Sequence, residues 1–237
     1  MASDGNGHAL SQRAAAEALG TGLLLAGVVG SGIMGERLAG GNIAIALLAN
    51  SIATGTLLAA LILTLGWVSG AHFNPVVSLV SAWSGTLRWR DVPSYAASQL
   101  SGAVAGVWIA HLMFAQPAFS FSSHERAGFA QLISEFVATF GLLLTILGCS
   151  RAEPRAVPFA VGAYITSAYW FTGSTSFANP AVTIARALTD SFAGIRPADA
   201  PAFIVAQALG AAAAALTFTR VVPKPAAEAA RIKDEAA

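Results

Sequence analysis

The sequence has little charge and only one cysteine. Charged residues make up 11% of its 237 residues, with 13 Lys and Arg against 12 Asp and Glu. Soluble domains carry about twice that share of charge, and so few dispersed basic residues give no surface for nucleic acid. The single Cys149 excludes an intramolecular disulfide, and its apolar neighbours favour a packing thiol over a reactive one.

Long apolar stretches dominate the chain instead. Apolar residues make up 55% of the sequence, and a helix needs about 20 of them to cross a bilayer. We therefore predict six membrane spans within a single domain, 1–237: residues 14–29, 43–65, 92–113, 129–149, 156–170 and 202–222. The charged, Ala-rich tail at 223–237 is expected to fray. Residues 1–10 hold Asp4 and no Lys or Arg, which does not indicate a cleaved signal peptide.

Two short segments that share an Asn-Pro pair interrupt this apolar pattern. They read HFNPVV at 72–77 and FANPAV at 177–182. Asn is a preferred N-cap and Pro is favoured at the first helical position, so each pair predicts a helix start. Helix starts at membrane depth are tolerated only where they line a cavity. The two pairs therefore indicate a solute pathway.

Landmarks of the first half return in the same order in the second half. AEALGT at 16–21 recurs as SEFVAT at 134–139, and SQLSGA at 98–103 recurs as AQALGA at 206–211. Each half contains three spans, an odd number, so the second half must be inverted relative to the first. The expected fold is an all-α membrane protein, with six transmembrane helices and two re-entrant half-helices in an inverted repeat.

The two repeats, about 10–113 and about 128–222, would bring the half-helices together in mid-membrane at Asn74 and Asn179. Each half-helix start carries a partial charge of roughly +0.5, and two of them disfavour a cation there. A neutral hydroxylated solute can instead accept hydrogen bonds from the Asn amides. Nine Lys and Arg on the side of both termini, against four on the other, predict cytoplasmic termini. The expected location is the cell inner (plasma) membrane.

From about residue 14 to residue 222 the chain resembles the major intrinsic proteins, the aquaporins and aquaglyceroporins. SGAHFNPVV at 69–77 is similar to the first box of that family and NPA at 179–181 to its second. The resemblance implies a passive pore in each subunit of a homotetramer that contacts the lipid bilayer, water and small neutral solutes, without a cofactor or metal. It also implies these pore-centre residues: Asn74, Asn179, Pro75, Pro180, Val76 and Ala181.

The chain departs from the family pattern at the outer constriction, the selectivity filter. An arginine usually follows the second box, and Val182 stands here. Counting from the boxes places Thr54, Ser167 and Ser176 at the other three filter positions. Arg186 lies more than one helical turn beyond Val182, so we expect a basic group near a helix end or the membrane surface, not a substitute.

Four small, uncharged filter residues predict a pore that is wider than a file of single waters. Such a pore is expected to pass glycerol and arsenite, neutral As(OH)3 at pH 7, as well as water. The combination resembles the valine-bearing aquaglyceroporins found in rhizobia beside arsenic-resistance genes. Val76, where the family usually has Ala, is expected to reflect drift at a packed turn more than an altered pore centre.

Other polar residues inside the spans favour structural roles. A carboxylate in a span costs about 2.5 to 3.5 kcal/mol, and the symmetric placement of Glu17 and Glu135 favours bracing of the half-helix loops over proton relay. His72 is expected to make a fixed hydrogen bond near the cytoplasmic vestibule, with pH gating as the alternative. Gln99 and Gln207 are expected to bond between helices.

Three classes of function are compatible with a membrane protein of this design. A passive channel for small neutral solutes comes first, with a water-selective aquaporin as the alternative within that class. An ion-coupled secondary transporter also uses inverted repeats, but no ion site is visible beyond the two glutamates. An enzyme is not expected, because no nucleophile and base lie at compatible depth.

Overall fold

The chain forms a bundle of helices, and a computed structural model describes residues 7–118 and 120–222 of it. This part of the chain contains eight α-helices and no strand. Six are long: α1 (Leu10–Leu38), α2 (Ile43–Ser69), α4 (Val92–Met113), α5 (Phe129–Ala152), α6 (Val157–Phe171) and α8 (Ala200–Val221). Two are short: α3 (Pro75–Trp83) and α7 (Pro180–Arg186). The predicted fold is confirmed, whereas the tail at 223–237 and Asp4 lie outside the described residues.

The short helices begin where the Asn-Pro pairs predict. Asn74 caps α3 by accepting the N–H of Val76 at 3.1 Å, with Pro75 at the first helical position. Asn179 caps α7 in the same way, accepting from Ala181 at 2.9 Å. The chain therefore starts both half-helices with the same local chemistry.

The length of the two half-helices explains why they occur as a pair. At 1.5 Å per residue, α3 and α7 together extend about 24 Å, close to one crossing of a hydrocarbon core about 30 Å thick. Four described helices, α1, α2, α5 and α8, are each long and apolar enough to cross a membrane by themselves. The other two long helices, α4 and α6, are not among these four, and α6 has only 15 residues.

Close helix crossings hold each repeat together. A side chain at Gly102 of α4 would collide with the carbonyl oxygen of Ala18 in α1, and one at Gly210 of α8 with that of Phe136 in α5. Glycine at these two equivalent positions lets the helix backbones touch. The crossings bring α4 and α8 near the half-helices of their own repeats. Gln99 of α4 and Gln207 of α8 can then bond to those half-helices.

Candidate functional site

The N-termini of the two half-helices meet at the centre of the molecule. The side-chain amide of Asn74 donates to the carbonyl of Ala178 at 2.8 Å, and that of Asn179 donates to the carbonyl of Phe73 at 2.7 Å. The Asn74 oxygen accepts one N–H of its own helix start, that of Val76, and the Asn179 oxygen accepts two, those of Ala181 and Val182. One N–H bond of each amide is therefore left for a molecule beside it.

The loops that lead into the half-helices adopt a left-handed backbone at residues other than glycine. Phe73 and Ala178, the residues directly before the two asparagines, both have φ of 48°, and Ala71 and Ser176 have φ of 49° and 50°. A residue in a sparsely populated backbone region costs of order 1 to 3 kcal/mol and persists only where its surroundings hold it. Two buried carboxylates, those of Glu17 and Glu135, hold these loops in place.

Glu17 lies fully buried beneath the first of these loops. Its carboxylate accepts the backbone N–H groups of His72 at 2.9 Å and Phe73 at 2.7 Å. It also accepts from the Ser69 hydroxyl and the Gln99 amide, both at 2.7 Å. Four donors, from the end of α2, the loop and α4, thus converge on one carboxylate, which is the arrangement expected of a brace.

Glu135 makes the same four bonds in the second repeat. It accepts the N–H groups of Phe177 and Ala178, both at 2.9 Å, the Ser174 hydroxyl at 2.6 Å and the Gln207 amide at 2.6 Å. Gln99 and Gln207 each also donate to a half-helix hydroxyl, Ser78 at 2.9 Å and Thr183 at 2.8 Å. Both glutamines thus link a long helix to a half-helix.

His72 lies beside the cavity described next, on the side of the chain termini. Its Nδ1 is 3.0 Å from the Ser78 hydroxyl, and its ring packs at 5.3 Å against the ring of Tyr95. Ser78 is already bonded to Gln99 and to the carbonyl of Asn74. The imidazole is therefore tied into the network that supports the first half-helix.

A cavity of about 640 Å³ runs past both asparagines. Arg13 and Thr86 lie at the end near the termini, and Thr54 and Arg186 lie toward the other end. One wall is apolar and comes from α1, α2, α5 and α6, with these side chains among its members: Leu24, Val28, Leu58, Ile62, Leu142 and Val161. The polar groups of the two loops face this wall across the cavity.

Three of the four predicted filter residues line this cavity together. Thr54, Ser176 and Val182 all belong to its wall and are each less than 7% exposed. The Ser176 hydroxyl has no hydrogen-bond partner within the described residues. These positions are brought together from α2, the loop before α7 and α7 itself.

Ser167 does not join them, and this part of the sequence prediction is corrected. It is exposed on α6 and is not among the described residues of the cavity wall. Ile165 and Tyr169 line the cavity instead. Residues 165 and 169 share one face of the helix, and residue 167 lies on the opposite face. The prediction of Ser167 counted back from Asn179 and so assumed a length for the loop between α6 and α7. The helical phase of α6 would instead have indicated that Ile165 and Tyr169 face the cavity.

Only the two asparagines among the six predicted pore-centre residues border the cavity. The remaining four lie outside its described wall and pack behind the asparagines: Pro75, Val76, Pro180 and Ala181. Val76 is 3% exposed and belongs to an apolar cluster, in line with a packing role. Val77 and Ala178 take their places in the wall.

Tyr169 and Arg186 are among the polar residues of the cavity wall that sequence reasoning did not place there. The Tyr169 hydroxyl donates to the Thr54 hydroxyl at 3.2 Å. Arg186 ends α7 as expected, but it is 1% exposed and lines the cavity, so its placement near the membrane surface is corrected. Its spacing of four from Val182 was the available signal, since residues four apart share a helix face.

The loop between α4 and α5 is fastened over the end of α7. Arg126 donates to the carbonyls of Gly194 at 2.8 Å and Ser174 at 3.0 Å. The Ser123 backbone N–H, at 2.9 Å, and then its hydroxyl hold the pKa of Asp190 below its usual value. Within the described residues, His, Cys, Asp and Glu form no group of three or more that could hold a metal.

The chain is similar to known proteins in sequence and in fold. A family model described as Major intrinsic protein matches residues 6–168 and 152–236. Aquaglyceroporin AqpS of Rhizobium meliloti is 54% identical over 217 residues, which cover 92% of each chain. The Glycerol uptake facilitator protein of Bacillus subtilis is 32% identical over 56% of this chain and 52% of its own. The X-ray structure of the aquaglyceroporin from Plasmodium falciparum has the same fold, with a TM-score of 0.71 over 90% of this chain and 97% of its own, at 21% identity.

Proposed function

The chain belongs to the major intrinsic protein family, and on that premise we propose that it is a passive channel for small neutral solutes. The solutes include water, glycerol and neutral metalloid hydroxides such as arsenite. The observation that carries the proposal is the cavity of about 640 Å³ that passes both capping asparagines. Solutes would move along it in single file between the polar loops and the apolar wall.

The pore centre favours neutral solutes for an electrostatic reason. The positive ends of α3 and α7 point at one place, so they raise the energy of a cation there. The remaining amide N–H bonds of Asn74 and Asn179 can donate to a hydroxyl oxygen. The apolar wall opposite offers no second strong contact, and weak binding lets a solute leave again.

The small filter side chains support a solute range beyond water. Thr54, Ser176 and Val182 carry neither a guanidinium nor a large aromatic ring, so these three positions leave more room in the cavity than such side chains would. The similarity to an aquaglyceroporin at 54% identity and to a glycerol uptake facilitator at 32% identity supports glycerol as one solute. Neutral As(OH)3 has three hydroxyl groups, as glycerol has, and is proposed on that chemical likeness.

The hydrogen bonding of Glu17 and Glu135 supports passive transport over ion coupling. Each carboxylate accepts four hydrogen bonds from fixed loop and helix donors. A proton carrier must exchange its proton during transport, and these two groups already serve as acceptors in the folded network. We therefore assign both carboxylates to bracing.

We further propose that the chain is a single domain in the inner membrane, with both termini cytoplasmic, and that it assembles as a homotetramer. The proposal rests on the Lys and Arg distribution and on the family resemblance. Accessibility of single cysteines at Ser123 and Arg88 to a membrane-impermeant thiol reagent tests the orientation, in a Cys149→Ala background. Light scattering of the detergent-purified protein tests the tetramer.

A panel of solutes in proteoliposomes tests the channel function. Stopped-flow light scattering should show faster equilibration of water, glycerol and arsenite than in protein-free vesicles. Flux should rise linearly with the solute gradient and ignore an imposed proton or sodium gradient. Saturation at low solute with proton dependence would favour a transporter, and acceleration of water alone would favour the water-selective alternative.

A further inference from the structure

Arg186 is a buried cation at the wall of the pore. It lies one turn beyond Val182 on α7, and both side chains line the same cavity. Arg186 is the largest side chain among the fully buried residues described, at 1% exposed. Charged side chains are almost never fully buried without a partner.

The guanidinium is held in one orientation by two neighbours. Its Cζ lies 3.4 Å from the centre of the Phe177 ring, so the two planar groups are in contact. Its Nε donates to the carbonyl of Ala193. Phe177 is itself fixed by an edge contact with Phe203 at 5.3 Å and by the bond from its backbone N–H to Glu135.

The rest of the guanidinium has no protein partner in the described part of the chain. The Ala193 carbonyl is the only hydrogen-bond acceptor of the Arg186 side chain there, and no carboxylate forms an ion pair with it. An arginine has five N–H donors, so the donors on both Nη atoms remain. The cavity beside the side chain is where water or a solute can accept from them.

The charge of Arg186 adds to the field of the half-helix termini. Glu135 acts on Arg186 electrostatically but forms no ion pair with it, and its oxygens accept from four neutral donors. The second guanidinium at the Phe177 ring, that of Arg126, lies 5.0 Å from the ring centre and is also positive. Two guanidiniums therefore lie near one carboxylate, and a cation entering from this end would meet a net positive charge before it reached the asparagines.

We propose that Arg186 is a specificity-determining residue of the pore: a fixed cationic donor that binds the oxygen atoms of passing neutral solutes and repels cations. It would supply, from the next turn of α7, the charge that Val182 lacks. The filter would then be wide and still positive. This inference rests on the proposed channel function and adds the residue that sets charge selectivity.

Neutral replacements of Arg186 test the proposal in proteoliposomes. Arg186→Met keeps most of the apolar stem, and Arg186→Gln keeps an amide that can donate to Ala193. Proton and sodium leak should rise by roughly tenfold in both, because one positive charge is removed from the cavity wall. The ratio of glycerol to water flux should also change, since a solute donor is lost.

Two further variants separate pore contact from charge and from folding. Arg186→Lys should keep cations out but alter the glycerol-to-water ratio, because an ammonium cannot reproduce the planar donor group. Arg196→Gln removes a positive charge that is paired with Asp199 outside the cavity wall, and should leave both measurements unchanged. Thermal unfolding and monodispersity are measured on every variant.

Several results would overturn the assignment while leaving the channel intact. If Arg186→Met or Arg186→Gln folds and conducts with unchanged leak and flux ratio, Arg186 does not contact solutes. If neither folds, Arg186 has a structural role and the proposal is wrong. If the unaltered protein passes no solute, the channel function itself fails, and that outcome is seen before any variant is made.

Discussion

Asn74 and Asn179 bond crosswise, each donating its amide to the carbonyl of the residue directly before the other. The pair therefore joins the two half-helices by the same side chains that cap them. A residue that faces the pore also fixes the interface between the repeats. Its replacement should affect stability and conduction together.

Replacement of either asparagine by alanine should cost about 1 to 3 kcal/mol of stability, because a buried carbonyl loses its donor. Asn74→Ala and Asn179→Ala should be similarly severe, since each loses the same crosswise bond, although Asn179 accepts one more backbone N–H, that of Val182. Thermal unfolding in detergent measures the loss, and stopped-flow water flux measures the effect on the pore. Asn42→Ala is the control for the flux measurement: Asn42 also caps a helix, α2, but lies outside the cavity wall, so water flux should not change. A large inequality between the two variants would contradict the crosswise arrangement.

Glu17→Gln and Glu135→Gln should each destabilise the loop of their own repeat. A carboxylate accepts all four bonds, whereas the glutamine NH2 is a donor that would face other donors. Hydrogen bonds to a charged group contribute about 1.5 to 3 kcal/mol each, so the loss should be at least about 2 kcal/mol. Thermal unfolding measures it, with the exposed Glu36→Gln as control. Normal stability with altered proton dependence of flux would instead support a proton relay.

Val182→Arg should narrow the cavity beside Thr54 and lower glycerol and arsenite flux more than water flux. The new guanidinium would lie one turn from Arg186 on the same helix face, so the two charges would also repel. Val182→Leu adds bulk without charge and separates the two effects. Stopped-flow rates for the three solutes are the measurement. Unchanged glycerol and arsenite rates in Val182→Arg would remove residue 182 from the filter.

Tyr169→Phe should shift the ratio of glycerol to water flux, because the Thr54 hydroxyl loses its donor and becomes free to bind a solute. Tyr164→Phe is the matched control: its hydroxyl donates to backbone carbonyls of α5, away from the cavity wall. The ratio of glycerol to water flux is measured for both variants in proteoliposomes. Equal ratios in both variants and the unaltered protein would leave Tyr169 with a packing role only.

The hydrogen bonds between Asp190 and Ser123 form a tether whose stabilising effect should weaken only as the pH falls. The pKa of Asp190 is lowered by the Ser123 backbone N–H and hydroxyl, so at pH values above the ordinary Asp pKa of about 3.9 the tether stabilises the loop between α4 and α5. That contribution should be lost as the pH falls through the lowered value. Protease cleavage within 114–128 should therefore be steady from neutral pH to about pH 5. Asp190→Asn should raise cleavage at neutral pH, and no rise would show that the tether does not hold the loop.

Local chemistry is what made much of the fold predictable. The Asn-Pro pairs at 74 and 179 cap and start helices through contacts within three residues, so their sequence suffices. The recurrence of Glu and Gln at matching positions of the two repeats also predicted which side chains would support the two half-helix loops. Ser167 was misplaced because its position depended on the length of the loop between α6 and α7, which does not follow from a residue count.

The sequence by itself determined the six spans, the two half-helix starts and the inverted repeat, since each depends on hydrophobic length, capping or internal likeness. Only the tertiary structure decided which side chains border the cavity. It turned Ile165 and Tyr169 inward and Ser167 outward, and it placed the guanidinium of Arg186 on the ring of Phe177 beside the pore. The physical reason is that a wall position depends on helix phase, loop length and packing between distant segments, none of which is local to the residue concerned.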